Sequence, residues 1–191
     1  MLSDSIAFHK LKRTHIDEFK LEPKVADGLL LQCKKIITEY EMGGRRIIQF
    51  GHDYLYSGLN HIGRKKPEFI DDLIESLNSR LQTSFNSVLL NVYPANKKVG
   101  IGKHSDSEEG LEYDPLVASI SLGSSDFFNI VSNDPYDDDD SLMLPVDHGT
   151  VLLMGRGCQI YYQHYIKPSV RQQDRISLTF RKMVGSHDED F

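Results

Sequence analysis

"SVLLNVYPANKKVGIGKHSDSEEGLEYDPLVASISLG", Ser87 to Gly123, sets two short apolar runs on either side of a glycine- and lysine-rich segment that ends in His104-Ser105-Asp106. Each run is too short for an ordinary helix and is rich in strand-forming residues, so each reads as a β-strand. The same pattern continues through "DFFNIV", "LMLPV", "GTVLLMG", "CQIYYQHYI" and "RISLTFRKM", with turn residues between the runs. Short strands at roughly regular spacing after Phe85 predict a β-sandwich or jelly roll. A histidine and a carboxylate two positions apart on an extended strand point the same way, which makes His104 and Asp106 candidate metal ligands.

Upstream of Phe85 the period changes. Leu29, Leu30, Cys33, Ile36 and Ile37 follow Pro23 at helical spacing, and proline suits a first helical turn. "MGGRRIIQFGHDYLYSG" then reads as a Gly-Gly break followed by extended β-branched and aromatic residues. In "KPEFIDDLIESLNSRLQ", Pro67 opens a second helix, Asp71 and Asp72 enrich its first turns, and Phe69, Ile70, Leu73, Ile74, Leu77 and Leu81 form its buried stripe.

The chain has 191 residues, 39% apolar and 26% charged, which suits one soluble domain with a real core. The beginning of the chain lacks the apolar block of a secretory signal, and nowhere is there an apolar run of about 18 residues, so an intracellular, cytoplasmic protein without a membrane span is expected. Cys33 and Cys158 are then expected as reduced structural thiols. The formal net charge of −6 argues against a general nucleic-acid coat. The charge is uneven, however: acids gather in "NDPYDDDDS" and "SHDEDF", while Arg45, Arg46, Arg64, Lys65, Lys66, Lys97, Lys98 and Lys103 leave room for a local basic groove. Asp137 to Asp140 read as a solvated loop, because no EF-hand glycine or glutamate follows them.

On its own, His-x-Asp occurs by chance in many chains. A third ligand sharpens it, and His164 in the aromatic-rich strand candidate "QIYYQHYIKP", leading into a turn at Pro168, is the first choice. Strands distant in sequence can face each other across a jelly roll, so two histidines and one carboxylate could share one face of an octahedral ion, the facial triad of non-haem Fe(II) oxygenases. His148 in "PVDHGTV" is the alternative, although it falls at a turn beside Gly149. In "DRISLTFR", Arg175, Ser177, Thr179 and Arg181 alternate with Ile176, Leu178 and Phe180, which puts both arginines on the polar, inward side of a strand. Two buried guanidiniums suit a dicarboxylate such as 2-oxoglutarate; the plainer alternative is a pair salt-bridged to surface acids.

From Gly43 to Met183 the sequence resembles the AlkB family of Fe(II)- and 2-oxoglutarate-dependent dioxygenases, through "NVYP", "HSDSE", "PLVASISLG", "YYQHYIKP" and "RISLTFR" taken together. The resemblance implies an α+β fold: a double-stranded β-helix (jelly roll) core over residues 85–184, N-terminal helices and a nucleotide-recognition lid within 1–84, and an acidic tail at 185–191, all one structural domain. It implies that His104, Asp106 and His164 bind Fe(II), that Arg175 and Arg181 hold 2-oxoglutarate with hydrogen bonds from Asn91 and Tyr93, and that O2 is the oxidant. It marks Tyr56, and more loosely Tyr54, in "YLYSG" as aromatics that stack on a flipped base, and Glu108 as an acceptor for a base amino group; otherwise these tyrosines are ordinary strand aromatics. Many family members carry asparagine where Ser177 stands, so the resemblance does not extend to any extra cofactor contact from that position. "RISLTFRKM" and "QFGHDYLYSG" look most like AlkB domains of plant RNA virus replicases, so a domain excised from a viral replicase is expected.

The activity implied is oxidative demethylation of N-alkylated nucleobases, such as 1-methyladenine and 3-methylcytosine, in RNA or single-stranded DNA, by a monomer with no evident obligate protein partner. The rival readings are a 2-oxoglutarate-dependent hydroxylase of a protein or small molecule, and a catalytically dead jelly-roll binding module.

Overall fold

The structure, a computed structural model, describes residues 2–3, 6–39, 46–56, 59–137 and 139–184; for residues 39, 54–56, 59 and 60 it describes the backbone alone. Arg45, Asp138, the glycines of the Gly-Gly break and the acidic tail therefore lie outside the described residues. In chain order the elements are β1 (Ala7–Lys10), β2 (His15–Lys20), α1 (Pro23–Glu39), β3 (Arg46–Phe50), β4 (Tyr54–Tyr56), β5 (Leu59–His61), α2 (Glu68–Leu81), β6 (Ser87–Tyr93), β7 (Val99–His104), β8 (Val117–Gly123), β9 (Asp126–Ser132), β10 (Ser141–Val146), β11 (Thr150–Met154), α3 (Cys158–Tyr161), β12 (Tyr162–Ser169) and β13 (Arg175–Arg181).

Two antiparallel sheets form the jelly roll. The larger runs β1-β2-β11-β8-β13-β6-β3, the smaller runs β10-β9-β12-β7, and β4-β5 is a separate hairpin. Strands β6, β8 and β13 are covered on both faces, so their side chains sort between two interiors. Val88, Leu90, Ile120, Ile176, Leu178 and Phe180 pack with Leu29, Cys33 and Ile37 of α1 and Ile70, Leu73, Ile74 and Leu77 of α2 in one core. Phe128, Ile130, Leu144, Leu152, Met154 and Tyr162 form a second core, which includes residues of both sheets. Removing one such fully buried aliphatic chain, as in Leu77→Ala, costs about 2–5 kcal/mol.

Local chemistry explains the ends of α2. Pro67 is its N-cap at φ −63°, Glu68 and Asp71 sit in the first turn, and Gln82 closes the helix in the left-handed region at φ 52°, returning its N–H to Asn78 O. Phe69 and Leu81 of the expected stripe are partly buried against the same core.

The structure departs from the sequence expectations in several places. Residues 1–84 supply strands as well as helices: β2 pairs with β11, and β3 with β6, so both edges of the large sheet come from the N-terminal segment. Pro168 is not a turn residue but lies inside β12, which reaches Ser169. The missing proline N–H is tolerated because the β12–β7 ladder is irregular between Ile166 and Ser169.

The aspartate run is not a solvated loop at its end. Asp140 is buried; its Oδ1 accepts from Lys12 N–H at 3.1 Å and its Oδ2 from the Tyr162 hydroxyl, while Lys12 Nζ pairs with Asp137. The acids tie the β9–β10 connection to the β1–β2 turn. Both cysteines are buried and free, one in each core, and burial pushes both thiols up to about 12. No helix among the described residues is long and apolar enough to cross a membrane.

Candidate active site

β7 ends on His104, and β12 runs antiparallel beside it with His164 directly opposite His104 in register. The two histidines are therefore neighbours within one sheet, not partners across the barrel as the sequence pattern suggested. Their ring centroids are 4.2 Å apart. Asp106 follows the strand end, fully buried, with Oδ2 3.9 Å from His164 Nε2. One ligand atom from each of His104, Asp106 and His164 lies within 4.8 Å of the others. His148 is elsewhere: its Nδ1 accepts from Gly123 N–H at 3.0 Å and its Nε2 is 3.3 Å from Asp27, so it joins α1 to the end of β8 and is not the third ligand of this group.

Each candidate ligand is held in a form that suits a cation. A carbonyl can only accept, so His104 Nδ1 donates to Gly102 O at 2.9 Å, and Nε2 is the ring nitrogen that this carbonyl does not engage. Burial pushes His164 down to about 3, against the pull of Asp106, so its imidazole is neutral at pH 7. Phe128 stacks on that ring at 5.2 Å. Burial alone would raise the Asp106 carboxyl, but the Arg181 guanidinium and the two histidines hold it down at about 2. Its Oδ1 accepts from Arg181 Nη2 at 2.8 Å and its backbone N–H donates to Gln159 Oε1 at 2.8 Å. Oδ2 has no hydrogen-bond partner among the described residues. Two imidazoles and an ionised carboxylate with one oxygen free of hydrogen bonds among the described residues fit Fe(II).

From the histidines a cavity runs between the sheets to Tyr93 and Arg175, with Asn91 and Arg181 in its wall. Arg175 is 1% exposed, and its Nη2 donates to Ser121 Oγ at 2.9 Å. Among the described residues its Nε and Nη1 find no hydrogen-bond partner, nor does Asn91 Oδ1. Burial lowers the Arg175 pKa, yet guanidinium keeps its charge at any ordinary pH. Unsatisfied buried donors are costly, and a carboxylate with matching planar geometry satisfies them, so the lining fits 2-oxoglutarate.

Arg175 and Arg181 both lie on the inward face of β13, as the alternation predicts, but they have different partners. Arg181 is committed to Asp106. Ser177 Oγ lies 3.2 Å from Ser119 Oγ, so the short side chain forms a hydroxyl pair there. Glu108 is partly buried just beyond Asp106, outside the cavity lining. Tyr54 and Tyr56 belong to β4, and their side chains lie outside the described residues. Of the basic cluster, Lys66 pairs with Asp71 at 3.6 Å and Lys103 lies over the Tyr165 ring at 5.8 Å.

Ser121, Phe128 and Gln159 are site residues that the motifs did not reveal. The alternation in "LVASISLG" could have marked Ser121, since it shares a strand face with Ser119. Gln159 carried no signal, because it sits in a single helical turn, α3, that the strand pattern of "CQIYYQHYI" concealed.

Residues 31–181 match the model of the 2OG-Fe(II) oxygenase superfamily. The chain is 32% identical over 180 residues to alpha-ketoglutarate-dependent dioxygenase alkB homolog 3 of Rattus norvegicus, covering 83% of this chain and 60% of that protein. It is 36% identical over 115 residues to alkB homolog 3 of Bos taurus, covering 54% and 40%. It is 28% identical over 145 residues to the Homo sapiens DNA oxidative demethylase ALKBH2, covering 70% and 53%. The chain thus spans less than two thirds of the length of these relatives, and the expected viral replicase origin has no counterpart among them. The structure of OsALKBH1 shares the fold, with a TM-score of 0.57 at 19% identity, covering 87% of this chain and 97% of that one. The family's chemistry implies Fe(II), 2-oxoglutarate and O2. On the family match, with a His-Asp-His cluster inside a double-stranded β-helix, the chain belongs to the 2OG-Fe(II) oxygenase superfamily, and within it is similar to AlkB homologues.

Proposed function

We propose that this protein is an oxidative demethylase of N-alkylated nucleobases, such as 1-methyladenine and 3-methylcytosine, in RNA or single-stranded DNA, working as a monomer. The observation that carries the reading is the convergence of His104, Asp106 and His164 at one end of a buried cavity that has Arg175 at the other. Similarity to a DNA oxidative demethylase supports the substrate class.

In this reading His104, Asp106 and His164 would hold Fe(II). Bound there with 2-oxoglutarate and O2, the iron supplies the oxidation that removes the N-methyl carbon as formaldehyde. Arg175 takes a 2-oxoglutarate carboxylate through Nε and Nη1, and Asn91 and Tyr93 add polar contacts from β6. Arg181 neutralises Asp106 and occupies Oδ1, so that Oδ2 alone is presented to the metal. Tyr54 and Tyr56 form the base-stacking lid, and Glu108 accepts from the base amino group. A base in a duplex cannot reach the cavity, so the substrate nucleotide is unpaired or extruded. Stacking of about 1–3 kcal/mol per base offsets much of the unstacking cost.

The test is incubation with Fe(II), 2-oxoglutarate, ascorbate and oligonucleotides carrying 1-methyladenine or 3-methylcytosine. Loss of one methylene mass from the oligonucleotide is the expected result. Turnover of 2-oxoglutarate with every oligonucleotide unchanged would move the substrate to a protein or small molecule.

A further inference from the structure

Behind Tyr93 of the cavity lining, and outside that lining, lies an ion pair that the reading above does not use. Arg171, in the turn between β12 and β13, is buried at 5% exposure. Its Nε donates to Asp126 Oδ2 at 2.8 Å, and Nη2 contacts the same oxygen. Its Nη1 donates to Val99 O at 3.0 Å and to Ser169 O at 3.3 Å, while its own carbonyl accepts from Asn96 N–H at 2.8 Å. One side chain thereby ties the first residue of β7, the first of β9 and the last of β12. Its guanidinium carbon also lies over the Tyr93 ring at 5.1 Å, and that of Arg175 lies over the same ring at 4.9 Å.

Two guanidiniums so close to one buried ring would repel each other and double the desolvation cost. Asp126 removes the conflict by neutralising Arg171. Arg175 is left as the cation whose remaining donors face the cavity. Four of the five N–H groups of Arg171 are committed, to Asp126, Val99 O and Ser169 O, so it has no pair of donors left for a two-pronged carboxylate contact.

We propose that Arg171, fixed by Asp126, is a positioning residue for the 2-oxoglutarate anchor: it backs the Tyr93 ring, so that Tyr93 and Arg175 are held for the carboxylate. The inference rests on the reading of Arg175 as that anchor. It predicts a split between the two ends of the cavity, because the iron ligands are held separately by Gly102, Gln159 and Arg181.

The experiment is calorimetric titration of Mn2+ and then of 2-oxoglutarate into the Mn2+-loaded protein, for wild type, Arg171→Met, Arg171→Lys, Asp126→Asn and, as control, Arg175→Lys. Arg171→Met should weaken 2-oxoglutarate binding about tenfold or more, with Mn2+ affinity within about twofold of wild type. Arg171→Lys, which keeps the charge without the planar fork, should recover only part of the loss. If Arg171→Met does not fold, Arg171→Lys and Asp126→Asn carry the same comparison. Unchanged 2-oxoglutarate affinity in the folded Arg171 variants, with Arg175→Lys weakened, overturns the positioning role. Parallel loss of Mn2+ and 2-oxoglutarate overturns it too, since that is general loosening. If Arg175→Lys also binds normally, the anchor reading itself has failed.

Discussion

Arg181 donates to Asp106 Oδ1 at 2.8 Å, whereas Arg175, six positions earlier on the same face of β13, donates to the hydroxyl of Ser121 and meets no carboxylate. Two arginines that alternate identically along one strand therefore have separate tasks. One offsets the charge of a candidate metal ligand, and the other, in the proposed reading, keeps its donors for 2-oxoglutarate.

That division is measurable. Arg181→Lys should lower Mn2+ or Fe(II) affinity by about 10–100-fold, because Asp106 loses the partner that orients it. Arg175→Lys should instead raise the half-saturating 2-oxoglutarate concentration and leave metal affinity near wild type. Titrating both ligands against both variants gives the answer, and equal effects on both ligands would return the arginines to a single shared role.

His104→Ala and Asp106→Ala should both abolish turnover, but only the second should cost much stability. His104 is partly exposed, whereas Asp106 removal strands the buried Arg181 guanidinium, at about 3–5 kcal/mol. Urea unfolding of the metal-free variants checks this. Undiminished 2-oxoglutarate decarboxylation in either one would sink the metal assignment.

The metal-free protein should lose stability in acid through the same site. His164 titrates near 3 when folded but near 6.5 as a free side chain, so below about 6.5 the unfolded chain takes up a proton that the folded one refuses. Its contribution is complete above 6.5 and declines as pH falls towards 3. Asp106, held at about 2 against an ordinary 3.8, contributes above 3.8 and loses that contribution as pH falls towards 2. Urea midpoints between pH 7 and 4.5 should fall, and should fall less in His164→Gln; identical slopes would contradict the assignment.

Tyr162→Phe should destabilise the protein by about 1–3 kcal/mol, because it deletes the hydroxyl that satisfies buried Asp140. Asp139→Asn in the same run should change little by comparison, since Asp139 is exposed. Thermal melts of the two variants distinguish a structural anchor from a solvated loop.

For the proposed lid, Tyr56→Ala should lose most demethylation of methylated oligonucleotides and Tyr56→Phe little, since the ring face is what stacks. Glu108→Gln should matter more for methylated adenine and cytosine, which offer an amino donor, than for 3-methylthymine, which offers a carbonyl. Uncoupled 2-oxoglutarate turnover is the internal control. Intact repair in Tyr56→Ala and Glu108→Gln would place the substrate contacts elsewhere.

What the amino-acid sequence determined by itself was whatever depends on neighbours along the chain. The alternation of "RISLTFR" was enough to turn Arg175 and Arg181 inward, and the period of "FIDDLIESL" was enough to bury Ile70, Leu73, Ile74 and Leu77. His104-Ser105-Asp106 was legible because an extended chain repeats its direction every second residue. Matching short strings extended this to His164 and to the family.

Tertiary structure alone decided which residues from distant segments meet. His164 rather than His148 completes the cluster because β12 pairs with β7 in a register that sets His164 opposite His104. Arg181 reaches Asp106, Gln159 holds the Asp106 N–H, and Arg171 finds Asp126 through contacts that no local period encodes. The aspartate run misled for the same reason: four adjacent charges read as solvated until Tyr162 and Lys12, brought in by other strands, satisfy the last of them. Strand register and sheet order fix such partnerships, because a slip of one residue would turn each of these side chains to the opposite face.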